Sequence, residues 1–228
     1  MPWEGGNLFG SHLGLRASLA LWIFFPFVTA TASAATITLS DVSSDATPAS
    51  TLDATLDFNV LGGITLEVIA TNLTTAPDEF NISELYWNAS AVVSGLALTT
   101  ATHSVEGDVF AGWTPVVTSQ TADGFGTFDF GLIDGVGAGN PNIIGVGESV
   151  TFLLTISGTC AGTTSCTASD FIVAQGSGYT GAAKFVNGPD DPEAPGFEDS
   201  AFGAAIVPEP TSALLIGLGL IGLGRVRR

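Results

Sequence analysis

LDATLDFNV, residues 52–60, places Leu52, Ala54, Leu56, Phe58 and Val60 on one side of an extended chain and Asp53, Thr55, Asp57 and Asn59 on the other. Gly62 and Gly63 follow, and Ile64, Leu66, Val68 and Ala70 then resume the alternation. Two period-two runs joined by glycines predict a β-hairpin. Outward from this hairpin the period of two persists. ESVTFLLTIS (148–157) aligns Val150, Phe152, Leu154 and Ile156, and weaker strand candidates are ATITLS (35–40), EFNISELYWNA (79–89), GLALTT (95–100), TFDFGLI (127–133), DFIVAQ (170–175) and AKFVNG (183–188). Turn-forming residues separate them and no amphipathic helix is apparent. Nine or so short strands predict an all-β fold, a single antiparallel β-sandwich (jelly-roll or Ig-like) over residues 35–186. Successive strand residues face opposite ways, so Trp87 is expected to join Leu85 in the core while Tyr86 points outward with Glu84. Residues 187–206, opening with NGPDDPEAPGFEDS, read as a Pro-rich acidic linker.

Charge is distributed as sharply as hydropathy. Of five basic residues, Arg16 precedes one apolar stretch and Arg225, Arg227 and Arg228 follow another. Residues 35–206 hold 20 acidic side chains against Lys184 alone, a net charge of −19. Such a body repels phosphate, so nucleic acid is not an expected partner. LGLRASLALWIFFPFV (13–28) leads into Ala32-Ser33-Ala34, a small-x-small cleavage site, so residues 1–34 read as a signal peptide for signal peptidase, with Ala32 and Ala34 as the small residues before the cut.

The last 22 residues read VPEPTSALLIGLGLIGLGRVRR. GLGLIG inside them matches the dinucleotide pattern G-x-G-x-x-G. Only four residues follow the last glycine here, so no βαβ unit and no nucleotide site is expected. Ser212 to Gly224 is an uncharged run of 13 residues, about 20 Å of helix against a hydrocarbon core of about 30 Å. Its seven Leu and Ile side chains at roughly −0.5 kcal/mol each give a marginal membrane segment, and the arginines after it belong on the cytoplasmic side.

Pro208-Glu209-Pro210, a short apolar helix and the terminal cluster Arg225, Arg227 and Arg228 together resemble the PEP-CTERM sorting signal of exopolysaccharide-producing bacteria. The resemblance covers residues 207–228 and implies recognition by an exosortase, a membrane transpeptidase-like enzyme. It also implies export across the inner membrane, transient anchoring through a short transmembrane helix, and delivery to the envelope or exterior. Tails of this kind are also labelled an ice-binding protein C-terminal domain, but a sorting tail carries no information about ice. TIT at Thr36 to Thr38 stands alone, without the ranks of T-x-T that a repeat-built ice-binding solenoid needs.

Few residues carry chemistry. Cys160 and Cys166, in an exported chain, are expected to form a disulfide that closes a small loop. His103 is the only imidazole in the body and has no G-x-S-x-G elbow beside it, so no enzyme is expected. No cofactor is expected; calcium is the one cation that acidic loops would suit, through Asp123, Asp129 and Asp134 or through Asp190, Asp191, Glu193, Glu198 and Asp199. Neither set has EF-hand spacing. Tyr86, Trp113 and Tyr179 are the aromatic faces that could stack on sugar rings. The leading expectation is therefore an exported structural protein of the envelope or biofilm matrix. The alternative is a carbohydrate-binding module attached to exopolysaccharide.

Overall fold

The computed structural model describes residues 33–42, 52–75, 80–135, 142–161, 166–174, 176, 178–186 and 200–206. The signal-peptide segment up to residue 32, the acidic residues 190–199 and the tail 207–228 lie outside these residues. In chain order the strands are β1 (Ser33–Thr38), β2 (Asp41–Val42), β3 (Ala54–Leu61), β4 (Thr65–Asn72), β5 (Asn81–Trp87), β6 (Val93–His103) and β7 (Gly107–Asp108). They continue as β8 (Trp113–Val116), β9 (Gln120–Ala122), β10 (Gly126–Phe128), β11 (Phe130–Asp134), β12 (Ser149–Gly158), β13 (Tyr179–Val186) and β14 (Ser200–Ile206). The pairings are antiparallel throughout. One six-stranded sheet has the order β1-β3-β4-β12-β6-β7 and the other β2-β14-β13-β5-β11-β8, with β9 and β10 forming a separate hairpin. Together the two sheets hold twelve described strands, more than the eight of a jelly roll or the seven to nine of an Ig-like domain.

The opening hairpin folds as its pattern dictates. Along β3, Ala54, Leu56, Phe58 and Val60 are buried and their neighbours half-exposed, and β4 repeats this with Leu66, Val68 and Ala70. Gly62 and Gly63 turn the chain at φ of 60° and 73°, where a side chain would be strained. The buried faces of the two sheets meet in one core. Phe58 of the first sheet touches Trp87 of the second edge-on at 5.9 Å, and Trp113 of the second meets Phe152 of the first at 5.0 Å.

Several expectations need correction. TFDFGLI is two strands in different sheets, because the chain bends at Asp129 between β10 and β11. DFIVAQ supplies no strand. Its first residues close a 3₁₀ turn, Ala168–Phe171, where Thr167 and Asp170 cap each other reciprocally. The linker assigned to 187–206 ends early: Ser200–Ile206 is β14, paired along β13, so the folded body runs on to Ile206. Small residues hid that strand. Gly203 lies where an added Cβ would sit 2.9 Å from the Phe185 ring and 3.4 Å from the Leu39 carbonyl, since the chain crosses from β1 to β2 over β14.

Tyr86 does turn away from Trp87, yet it is buried. The β9–β10 hairpin covers the outer face of the second sheet, and Phe128 stacks on Tyr86 at 6.1 Å. Alternation fixes which side a residue takes. It does not reveal that a later hairpin roofs that side.

Candidate functional site

Strand registers determine which loops share an end of the domain. Ser33 lies opposite Val60, beside the β3–β4 turn, and Gly158 lies opposite Val93. In the other sheet Trp87 lies opposite Gly181 and Phe130, and Tyr179 lies opposite Ile206. The connection Asn88–Val92 joins these two sets, since it links the end of β5 to the start of β6. One end of the domain, the exit end, therefore carries the start of β1, the β3–β4 turn, the disulfide loop and the last residue of β14. Cleavage after Ala34 would remove Ser33 and Ala34 from β1 but keep the pairs from Ala35↔Phe58 to Thr38↔Thr55.

This end is pinned by hydrogen bonds. The Cys160–Cys166 disulfide closes its loop there, and the Cys160 amide donates to the Val92 carbonyl. A ring this small is worth about 2 kcal/mol by chain entropy. Asp170 is the hub. Its carboxylate accepts from the Ser90 hydroxyl at 2.9 Å, the Thr167 amide at 2.8 Å and the Thr167 hydroxyl at 2.9 Å, while the Ser90 amide donates to its carbonyl at 2.7 Å. Burial pushes this carboxyl up, but the three hydrogen bonds outweigh it and hold the pKa below the ordinary aspartate value. A depressed pKa stabilises the fold above the unfolded value, and that stability is lost as pH falls through the folded one. Asp170→Ala is accordingly expected to cost about 1 kcal/mol at neutral pH, as lost caps do. Urea melts in a pH series should show the gap to the parent protein closing below the ordinary value of 3.8. A gap independent of pH would contradict this account.

The other candidates resolve as follows. His103 ends β6 buried at 3% exposure. Its Nδ1 accepts the amides of Val105 and Glu106 at 3.1 and 3.2 Å, which places the proton of the neutral ring on Nε2, 3.3 Å from the Glu148 carboxylate. That approach is too poorly aligned for a hydrogen bond and is an electrostatic contact. Both ring nitrogens thus face backbone amides and Glu148. Trp113 is buried and donates from Nε1 to the Asn142 carbonyl at 3.1 Å. The Tyr86 hydroxyl donates to Glu84, which also pairs with Lys184 at 3.1 Å; burial first, then that hydrogen bond and the Glu84 charge, raise its pKa far above the tyrosine value. Tyr179 is half-buried and packs edge-on against Phe125 at 4.9 Å. The three proposed sugar platforms are thus engaged in packing. Among the described residues no three or more His, Cys, Asp or Glu form a group that could hold a metal ion, and Asp123, Asp129 and Asp134 form none. The second acidic set lies outside the described residues.

The tail follows the body without a spacer. β14 runs to Ile206, and Val207 is the next residue. Among the described residues no helix is long and apolar enough to cross a membrane. Residues 207–228 match the family model of the PEP-CTERM protein-sorting motif. The chain carries a PEP-CTERM sorting tail. The PEP-CTERM motif is an address for bacterial export and membrane-associated sorting, and it implies processing by exosortase. Pro208, Glu209, Pro210, Arg225, Arg227 and Arg228 all fall within the matched PEP-CTERM residues. No curated protein and no solved structure matches the chain.

Proposed function

We propose that the protein is a structural component of the bacterial envelope or extracellular matrix, a stable β body delivered by its two terminal signals and without catalytic activity of its own. The observation that carries this reading is the junction at Ile206. Glu209 lies three residues beyond the last paired residue, so at full extension it is only about 10 Å from it. Prolines at 208 and 210 disfavour regular helix around Glu209, which suits an extended segment read by a processing enzyme. A cut at or after Pro208 leaves β14 whole, and the released or relinked product keeps its fold. Removing even a few more residues would strip the pairing of Ile206 with Tyr179. The role of His103 in holding a turn, and of Tyr86 and Trp113 in packing, favours a structural part over a hydrolase or a sugar-binding module. Exopolysaccharide would then be the surrounding matrix rather than a ligand of those rings.

The test is intact-mass and C-terminal peptide analysis of the protein recovered from its native envelope and medium. The expected mature C-terminus falls between Pro208 and Pro210. A mature chain still ending in Arg228 would overturn the processing step.

A further inference from the structure

We propose that the exit end of the domain rests on the lipid surface while the tail is anchored, with the β3–β4 turn entering the headgroup region. This rests on the tail being membrane-inserted before processing, as the preceding reading holds.

Exposure alone does not single out this end. Leu61, Ile64, Val92 and Val117 are exposed there, but Leu73, Val105, Phe110 and Val146 are exposed at the opposite one. Charge separates them. The described connections of the exit end, residues 61–64, 88–92, 117–119, 129, 158–161 and 166–174, contain two acidic residues: Asp170, whose carboxylate is held by three hydrogen bonds, and Asp129, which accepts the Ala89 amide at 3.2 Å. Asp123 lies in the β9–β10 turn, two residues from Phe125, which packs against Tyr179 of this end. The opposite end carries Asp53, Glu106, Asp108, Asp134 and Glu148 among the described residues. Val186 and Ser200, which the acidic sequence 187–199 joins, also lie at that end.

An anionic body near an anionic bilayer is repelled unless its charges are held away from the surface. The β6 strand spans 11 residues between the two ends, roughly 35 Å, while salt screens charge over about 8 Å. The more acidic end is therefore beyond reach of the surface potential when the exit end faces it. Tether length favours that orientation: five residues separate Ile206 from the apolar run that begins at Ser212, about 22 Å at most. Both membrane-directed segments of the precursor also leave from this end, at Ser33 and at Ile206. Leu61 and Ile64, flanking an uncharged Gly62-Gly63 turn, are the side chains placed to insert.

The experiment uses the full chain reconstituted into vesicles of phosphatidylcholine and phosphatidylglycerol carrying bromines near the headgroup. Two reporters are made separately, Ile64→Trp and Val105→Trp, both at exposed positions, and fluorescence of the unsubstituted chain is subtracted. Ile64→Trp should lie about 5–10 Å into the headgroup boundary and be quenched at least about twofold more than Val105→Trp. Equal quenching, or none at residue 64 in a chain that floats with the vesicles, overturns the proposal and leaves the anchor standing. A chain that does not float with the vesicles overturns the anchor and this proposal with it. Quenching at residue 64 that appears only in vesicles containing exosortase overturns lipid docking in favour of a protein surface.

Discussion

Trp87→Ala is expected to destabilise the domain by about 3–5 kcal/mol, the range for removing a buried Trp or Phe from a core. Trp87 is fully buried, lies edge-on to Phe58 across the two sheets and belongs to the strand that pairs both β11 and β13. Its loss opens a cavity where the sheets meet, and neighbouring strands held by their ladders cannot collapse into it. Measured by thermal melting, the change should lower the midpoint by roughly 10 °C or more for a domain of this size. Trp87→Phe provides the internal contrast. The indole Nε1–H is buried with no hydrogen-bond partner among the described residues. Phe removes that unpaired donor, which offsets part of the lost volume, so it should cost less than half of what Ala does. Equal losses for Ala and Phe would show that the indole ring fills space that Phe cannot.

Gly158→Ala is expected to cost about 3 kcal/mol or more, although it adds a single methyl group. Gly158 ends β12 at φ 139°, at an irregularity in the register with β6. A Cβ there would lie 2.2 Å from the Val92 carbonyl and 2.8 Å from the Ser94 amide, both backbone atoms that cannot swing aside. Backbone strain of about 1–3 kcal/mol adds to this clash. Gly95 lies opposite Ser157 in the same pair of strands, and a Cβ there meets only the Ser157 Cβ at 3.8 Å. Gly95→Ala should therefore change stability by less than about 1 kcal/mol. Urea denaturation of the two variants side by side checks the pair, and similar midpoints would refute the backbone argument.

The sequence reveals the alternating face of a strand wherever large apolar residues mark it. That is why LDATLDFNV and ESVTFLLTIS are legible and why the hairpin turn falls on Gly62 and Gly63. Strands built from small residues leave no such mark. SAFGAAI, the sequence of β14, is small because Leu39 and Phe185 crowd it, a tertiary cause that no local pattern carries. Ser83 shows another limit. A register shift between Lys184 and Phe185 skips it, so Ile82, Leu85 and Trp87 all reach the core although strict alternation would send Ile82 the other way. The sorting tail was legible because three chemically unlike parts stand in fixed order, whereas the junction at Ile206 required strand pairing to be seen. In FAGWTP the glycine at 112 and the proline at 115 are loop-favouring neighbours, yet Trp113 and Pro115 both lie on β8, an edge strand that tolerates proline.

The pairing of β2 with β14 also bears on timing. Among the described strands the second pairs with the last, so the second sheet is complete only once residue 206 has emerged. By then the apolar run of the tail is only five residues behind. Until that moment β13 presents an open edge in a crowded compartment, a site for pairing with other chains. For a chain exported N-terminus first, the domain would therefore complete its fold at nearly the same moment that its tail reaches the membrane.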